Sequence, residues 1–145
     1  MTFKRIMTPV DFSETAMVAA RRAADLARSL GAELLVIHVV HEPAFVVAYG
    51  SGYPSPAVAE QYEAEMRTKL HGAAETLSGG GLKIISKLVH GSPHEGIVNT
   101  AEADHADLVI MGTHGRTGVT HLLLGSVAER VVRLAKVPVM TIRSP

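Results

Sequence analysis

Apolar and polar positions along this chain fall into two alternating kinds of segment. Strand-like runs stand at FKRIMTPV (3–10), AELLVIHVV (32–40), LKIISKLVH (82–90), ADLVIMG (106–112) and VPVMTIR (137–143). The second is a near-continuous apolar run rich in β-branched residues, as expected of a strand buried on both faces. Between these runs the apolar residues fall at helical spacing. Ser13 caps a helix through Leu30, with Ala16, Ala19, Ala20, Ala23, Ala27 and Leu30 on one face and Gly31 at its stop. Tyr62, Met66, Leu70, Ala73, Ala74 and Leu77 mark a helix over about 57–77, broken by the glycines at 79–81. SPHE (92–95) starts another: Ser92 caps, Pro93 takes the first helical position and Glu95 completes a capping box. That helix runs to about Asp104, and SVAERVVRLAK (126–136) forms the last, with Val127, Val131, Leu134 and Ala135 on its apolar face.

Strands alternating with helices predict an α/β fold: a doubly wound, five-stranded parallel sheet with helices on both faces. Right-handed crossovers leave few topologies, and strand order 3-2-1-4-5 is the expected one. Pro138 has no N–H for a ladder, so the last strand belongs at an edge. The length suits one domain spanning 1–145. Residues 41–58 carry Pro43, Pro54 and Pro56 with Gly50 and Gly52, and read as a long loop. Its Phe45, Tyr49 and Tyr53 form a lid, a partner surface or a disordered stretch.

Charge narrows the function classes. Fourteen basic residues balance fourteen acidic ones, without the basic surplus of a nucleic-acid binder. Apolar runs fall far short of the ~20 residues that span a bilayer. The start of the chain has no apolar h-region. There is no cysteine, which excludes a thiol nucleophile and suits a reducing compartment. A cytoplasmic protein with no nucleic-acid or membrane partner is the expectation.

The chemistry gathers after the fourth strand, in DLVIMGTHGRTGVTHLLLGSV (107–127). Gly112, Gly115, Gly118 and Gly125 there expose main-chain N–H groups suited to an anion-binding nest. The helix beginning at Gly125–Ser126 adds its positive pole. In the order 3-2-1-4-5 this loop falls at the crevice between strands 1 and 4, opposite Thr8–Asp11. Arg116 is the permanent cation of the loop. GxxxxGK[ST] is absent, and so is GxGxxG at strand 1.

The spacing G-x2-G-x9-G-S, from Gly112 through Gly115 to Gly125 and Ser126, resembles the nucleotide-binding motif of the universal stress protein family. TPVDFSE, IHVV, DLVIMGTHGRTG and LLLGSVAERVVRLAKVPV extend the resemblance over nearly the whole chain. It implies ATP as ligand, with Mg²⁺ or Mn²⁺ as a candidate companion. By position, Pro9 and Asp11 would line the adenosine side and Val39 would meet adenine through its backbone. Met111 and Gly112 would flank the nucleoside. Gly115, Arg116, Gly125, Ser126 and Val127 would surround the phosphates. The resemblance also implies a homodimer through antiparallel pairing of residues 137–143.

Plainer roles stand beside these. Asp11 can cap a helix with Glu14 three residues on, Ser126 can be an N-cap, and Arg116 a solvated loop cation. His114 and His121 can assist a phosphate or lie on the surface. His90 and His94 flank a helix start and share no face, so no metal site is expected there. The expected function is an ATP-binding regulatory or stress protein, with no catalytic residue assigned. Two alternatives are a slow hydrolase of the adenine-nucleotide type and a non-catalytic interaction module. Strand 1 lacks the extra glycine-serine loop of such hydrolases, and Asp11 has no acidic neighbour as a response regulator requires.

Overall fold

The computed structural model describes residues 2–41, 55–114 and 124–144. Its strands are β1 (Arg5–Pro9), β2 (Glu33–Val40), β3 (Ile84–His90), β4 (Leu108–Gly112) and β5 (Val139–Ile142). Its helices are α1 (Glu14–Leu30), α2 (Pro56–Thr76), α3 (Pro93–Ala103) and α4 (Ser126–Leu134). The sheet has the order β3-β2-β1-β4-β5, and every pairing is parallel. The topology expected from the alternation of elements is therefore the one observed. β5 lies at an edge, where Pro138 contributes only its carbonyl, accepting from the Val109 amide at 3.0 Å.

Two helices cover each face of the sheet. On one, Ile6, Val36 and Ile110 meet α1 through Ala20, Ala23 and Ala27 and α2 through Leu70, with Leu77 at its C-cap. On the other, Met7, Ile37 and Val109 meet α3 through Ile97 and Ala101 and α4 through Ala128 and Val131. Alternate residues of β1 and β2 serve opposite cores, which explains their unbroken apolar runs. The alanine stripe of α1 is buried throughout, and such small side chains let a helix sit close to the strands.

Helix ends account for most departures from expectation. The chain leaves α1 through a Schellman closure, with Gly31 at φ 64° and the Ala32 amide donating to Ala27 O at 2.9 Å. That closure turns Ala32 into the core, and Leu30, expected on the buried face, is 48% exposed. Leu134 is likewise 49% exposed, because the chain becomes extended at Ala135 and packs Ala135 and Val137 instead. The capping box at Ser92 does not form as expected. The Ser92 hydroxyl donates to Glu95 Oε2 at 2.7 Å and caps no amide.

Charged side chains close the amino ends of the strands. Asp107 Oδ2 accepts from the Lys4 and Arg5 amides at 2.7 and 2.8 Å. Glu33 is paired with both Arg5 and Lys83. A cleft of about 310 Å³ lies at this end, lined by Lys4, Arg28, Glu33, Gly80 and Lys83. It is at the opposite end of the strands from Gly112. No helix among the described residues is long and apolar enough to cross a membrane.

Candidate functional site

The strand order reverses between β1 and β4, and the carboxyl ends of these strands carry the predicted residues. β1 ends at Pro9, and the chain turns through Asp11, Phe12 and Ser13 into α1. Ser13 is the N-cap of α1, its hydroxyl accepting from the Ala16 amide at 3.2 Å. Asp11 holds this cap rather than acting as one. Its Oδ1 accepts from the Ser13 amide at 3.0 Å and from the Ser13 hydroxyl at 2.5 Å. Phe12 sits between them at φ 66°, a left-handed conformation that bulky residues rarely adopt.

Gly112 brings β4 against this turn. A Cβ there would lie 3.0 Å from Thr15 Cγ2 and 3.2 Å from Thr15 O, so only a bare backbone allows the first turn of α1 so near. Met111, one residue earlier, is buried in the core beneath α3 and α4.

Beyond Gly112, the Thr113 amide donates to Ile142 O at 3.0 Å, fixing the chain over β5. Thr113 O then accepts from the Gly125 amide at 2.7 Å. The two ends of the glycine loop are thus joined by one hydrogen bond. A Cβ on Gly125 would stand 2.8 Å from the same oxygen. Gly125 is the N-cap of α4, and having no side chain it supplies no cap to the first amides of the helix. Ser126 is therefore the first helical residue and not the N-cap; it is exposed, and Val127 beside it is half-buried against the core. Gly115 and Arg116, like His121 and most of the 41–58 loop, lie outside the described residues.

Val39 completes the predicted set on the far side of β1. Its side chain faces α3, where a Cβ on Gly96 would approach Val39 Cγ1 to 2.8 Å. Among the described residues, two buried side-chain polar atoms have no hydrogen-bond partner: Thr8 Oγ1 in β1 and His114 Nε2 just past β4. Buried polar groups are nearly always paired, and these two stand toward the carboxyl ends of β1 and β4. No group of three His, Asp or Glu side chains among the described residues could hold a metal ion. Sequence reasoning passed over His38, Phe12 and Gly96. For His38 and Gly96 the signals were present, as a lone polar residue within the apolar run of β2 and a glycine inside a helix.

A parallel sheet of this order, with a glycine turn and an uncapped helix start where the order reverses, defines a doubly wound α/β protein, a class in which ligands bind at such a crevice. The universal stress protein family model matches residues 2–143, and the chain belongs to that family. Universal stress protein MJ0531 of Methanocaldococcus jannaschii is 35% identical, over 99% of this chain and 84% of its own length. Universal stress protein MJ0577 of the same organism is 33% identical, over 97% of this chain and 95% of its own. The solved structure of MJ0577 superposes with a TM-score of 0.80, covering 100% of this chain and 99% of that one at 30% identity. A universal stress protein from Archaeoglobus fulgidus in complex with dAMP superposes with a TM-score of 0.70 at 25% identity, covering 98% and 99% of the two chains.

Proposed function

We propose that this chain is an ATP-binding regulatory protein of the stress response, acting as one nucleotide-binding domain through a nucleotide-dependent state of its glycine loop or dimer. One observation carries the reading. The Gly125–Thr113 bond holds the uncapped start of α4 at the carboxyl end of β4, and the neighbouring β1 ends in the Asp11–Ser13 turn, so an anion-favouring pole and that turn stand at the ends of the two strands where the order reverses. The dAMP complex of the A. fulgidus relative supports an adenine nucleotide as the ligand class.

In this reading Pro9 and Asp11 flank the ribose side, and the Val39 backbone meets the base. Met111 and Gly112 form the wall between them. Gly115, Arg116, Gly125, Ser126 and Val127 surround the phosphates. Ser126 offers an exposed hydroxyl at the first helical position, and the amides behind it have no side-chain cap to displace. A divalent ion, Mg²⁺ or Mn²⁺, would arrive with the triphosphate and neutralise part of its charge.

Binding rather than turnover fits these residues. Asp11 has Oδ1 engaged by Ser13, and no P-loop lysine is present to stabilise a transferring phosphoryl group.

The outer edge of β5 supports a homodimer by antiparallel pairing of residues 137–143. An unpaired strand edge is a template for another strand. Met140 on it is 42% exposed, with Val132 and Leu134 of α4 exposed as well. We assign the protein to the cytoplasm, whose reducing conditions suit a chain without cysteine.

The test is mass spectrometry of small molecules released on denaturing the freshly purified protein. ATP or another adenine nucleotide is expected. A protein that releases none, and takes up none from saturating ATP, contradicts the reading.

A further inference from the structure

We infer that His38 is a positioning residue for the nucleoside end of the crevice, an inference that rests on the reading of that crevice as a nucleotide site. His38 is 7% exposed and lies in β2, immediately before Val39. Its Nδ1 is 2.7 Å from Val10 O. A carbonyl only accepts, so Nδ1 carries the proton and donates. The last main-chain bond between the two strands here runs from the Val10 amide to Ile37 O at 2.8 Å. The imidazole adds a tie one step beyond it, at the point where β1 gives way to the Asp11 turn.

The same ring holds that turn from the side. Its centroid is 4.5 Å from that of Phe12, the planes tilted by 36°. Phe12 is the residue held at φ 66° between Asp11 and Ser13. A strained backbone persists only where its surroundings over-determine it. Here one side chain adds two restraints to the Asp11–Ser13 bonds, a hydrogen bond before the strained residue and a ring contact on it. His38 therefore couples the two nucleoside-facing pieces of the crevice, Val39 next to it and Asp11 through Val10 and Phe12. The phosphate-facing residues at the start of α4 lie outside this linkage, on the other side of β4.

The separation gives the test. ATP, adenosine and inorganic tripolyphosphate are titrated calorimetrically into the wild type, His38→Phe and His38→Asn. His38→Phe keeps a ring but leaves Val10 O without its donor, and it is expected to weaken adenosine and ATP by about tenfold. Tripolyphosphate affinity stays unchanged in that variant. Asn places an amide donor near the Nδ1 position but has no ring to meet Phe12, and His38→Asn recovers part of the lost nucleoside affinity. Equal nucleoside affinity in the wild type and His38→Phe overturns the inference, and so does a parallel loss of adenosine and tripolyphosphate. A wild type that binds none of the three overturns the nucleotide reading itself. Should His38→Phe not fold, ¹⁵N spectra of histidine-labelled wild type decide. The His38 signals should show the Nδ1–H tautomer and move with adenosine but not with tripolyphosphate; signals unmoved by adenosine overturn the inference.

Discussion

The Asp11 carboxylate accepts both the amide and the hydroxyl of Ser13, and the same hydroxyl caps the Ala16 amide of α1. The end of β1 and the start of α1 are thereby one hydrogen-bonded unit. Ser13→Ala removes the cap and one of the two Asp11 contacts. Loss of an N-cap costs about 0.5–2 kcal/mol. For a chain of this size each kcal/mol lowers Tm by roughly 2–4 °C. A thermal melt of Ser13→Ala that coincides with the wild type would show that the cap contributes nothing.

Gly96 and Val39 define a second close approach. A Cβ on Gly96 would meet Val39 Cγ1 at 2.8 Å and Cγ2 at 2.9 Å. Gly96→Ala should therefore destabilise by about 1–3 kcal/mol through overpacking, offset in part by the roughly 1 kcal/mol helix preference for alanine. Val39→Ala removes the two methyls concerned. In the double variant the costs should be less than additive, with a coupling of about 0.5–3 kcal/mol. Additive losses in denaturant titrations would place the conflict elsewhere.

The pH dependence of stability follows from two carboxylates at the amino ends of the strands. Asp107 is held below the usual carboxylate range by the Arg5 amide first and the Lys4 amide next. Glu33 is held down chiefly by its hydrogen bond with Lys83, against a smaller opposing effect of burial, with Arg5 adding to the lowering. A lowered folded value means that the unfolded chain takes up protons first. The stabilisation is complete above the unfolded values of about 4 and is lost as pH falls through the folded ones. Urea unfolding from about pH 6 to about pH 3 should show this decline, and Asp107→Asn with Glu33→Gln should flatten it. An equal slope in the double variant would assign the acid sensitivity to other groups.

His105 occupies the left-handed position that closes α3, at φ 53°, with the Ala106 amide donating to Ala101 O at 2.9 Å. Glycine suits this position better than histidine. His105→Gly should raise stability by about 0.5–1 kcal/mol. A lowered Tm would mean that the exposed imidazole makes a contribution larger than its backbone strain.

The layout of the sheet was legible because burial on two faces leaves an unmistakable mark. The run LLVIHVV has no polar alternation, and no half-exposed strand could carry it. The glycine spacing located Gly112 and Gly125, since each stands where a Cβ would strike backbone. Other parts were hidden for physical reasons. Nothing in TPVDFSE marks Phe12 as left-handed, because that conformation is imposed by the His38 ring and the Asp11–Ser13 bonds and not by local preference. SPHE has the residues of a capping box, yet Ser92 turns its hydroxyl to the Glu95 carboxylate. Leu30 and Leu134 follow the helical period but fall where the chain is already leaving its helix.

The most direct test of the crevice is a calorimetric titration of ATP into the wild type and Gly125→Val. A side chain at position 125 collides with Thr113 O, the oxygen that joins the two ends of the loop. Saturable binding of one nucleotide per chain is predicted for the wild type, with binding abolished in Gly125→Val while its circular dichroism remains that of a folded domain. Wild-type affinity in the variant, or no saturable heat from the wild type, would contradict the account.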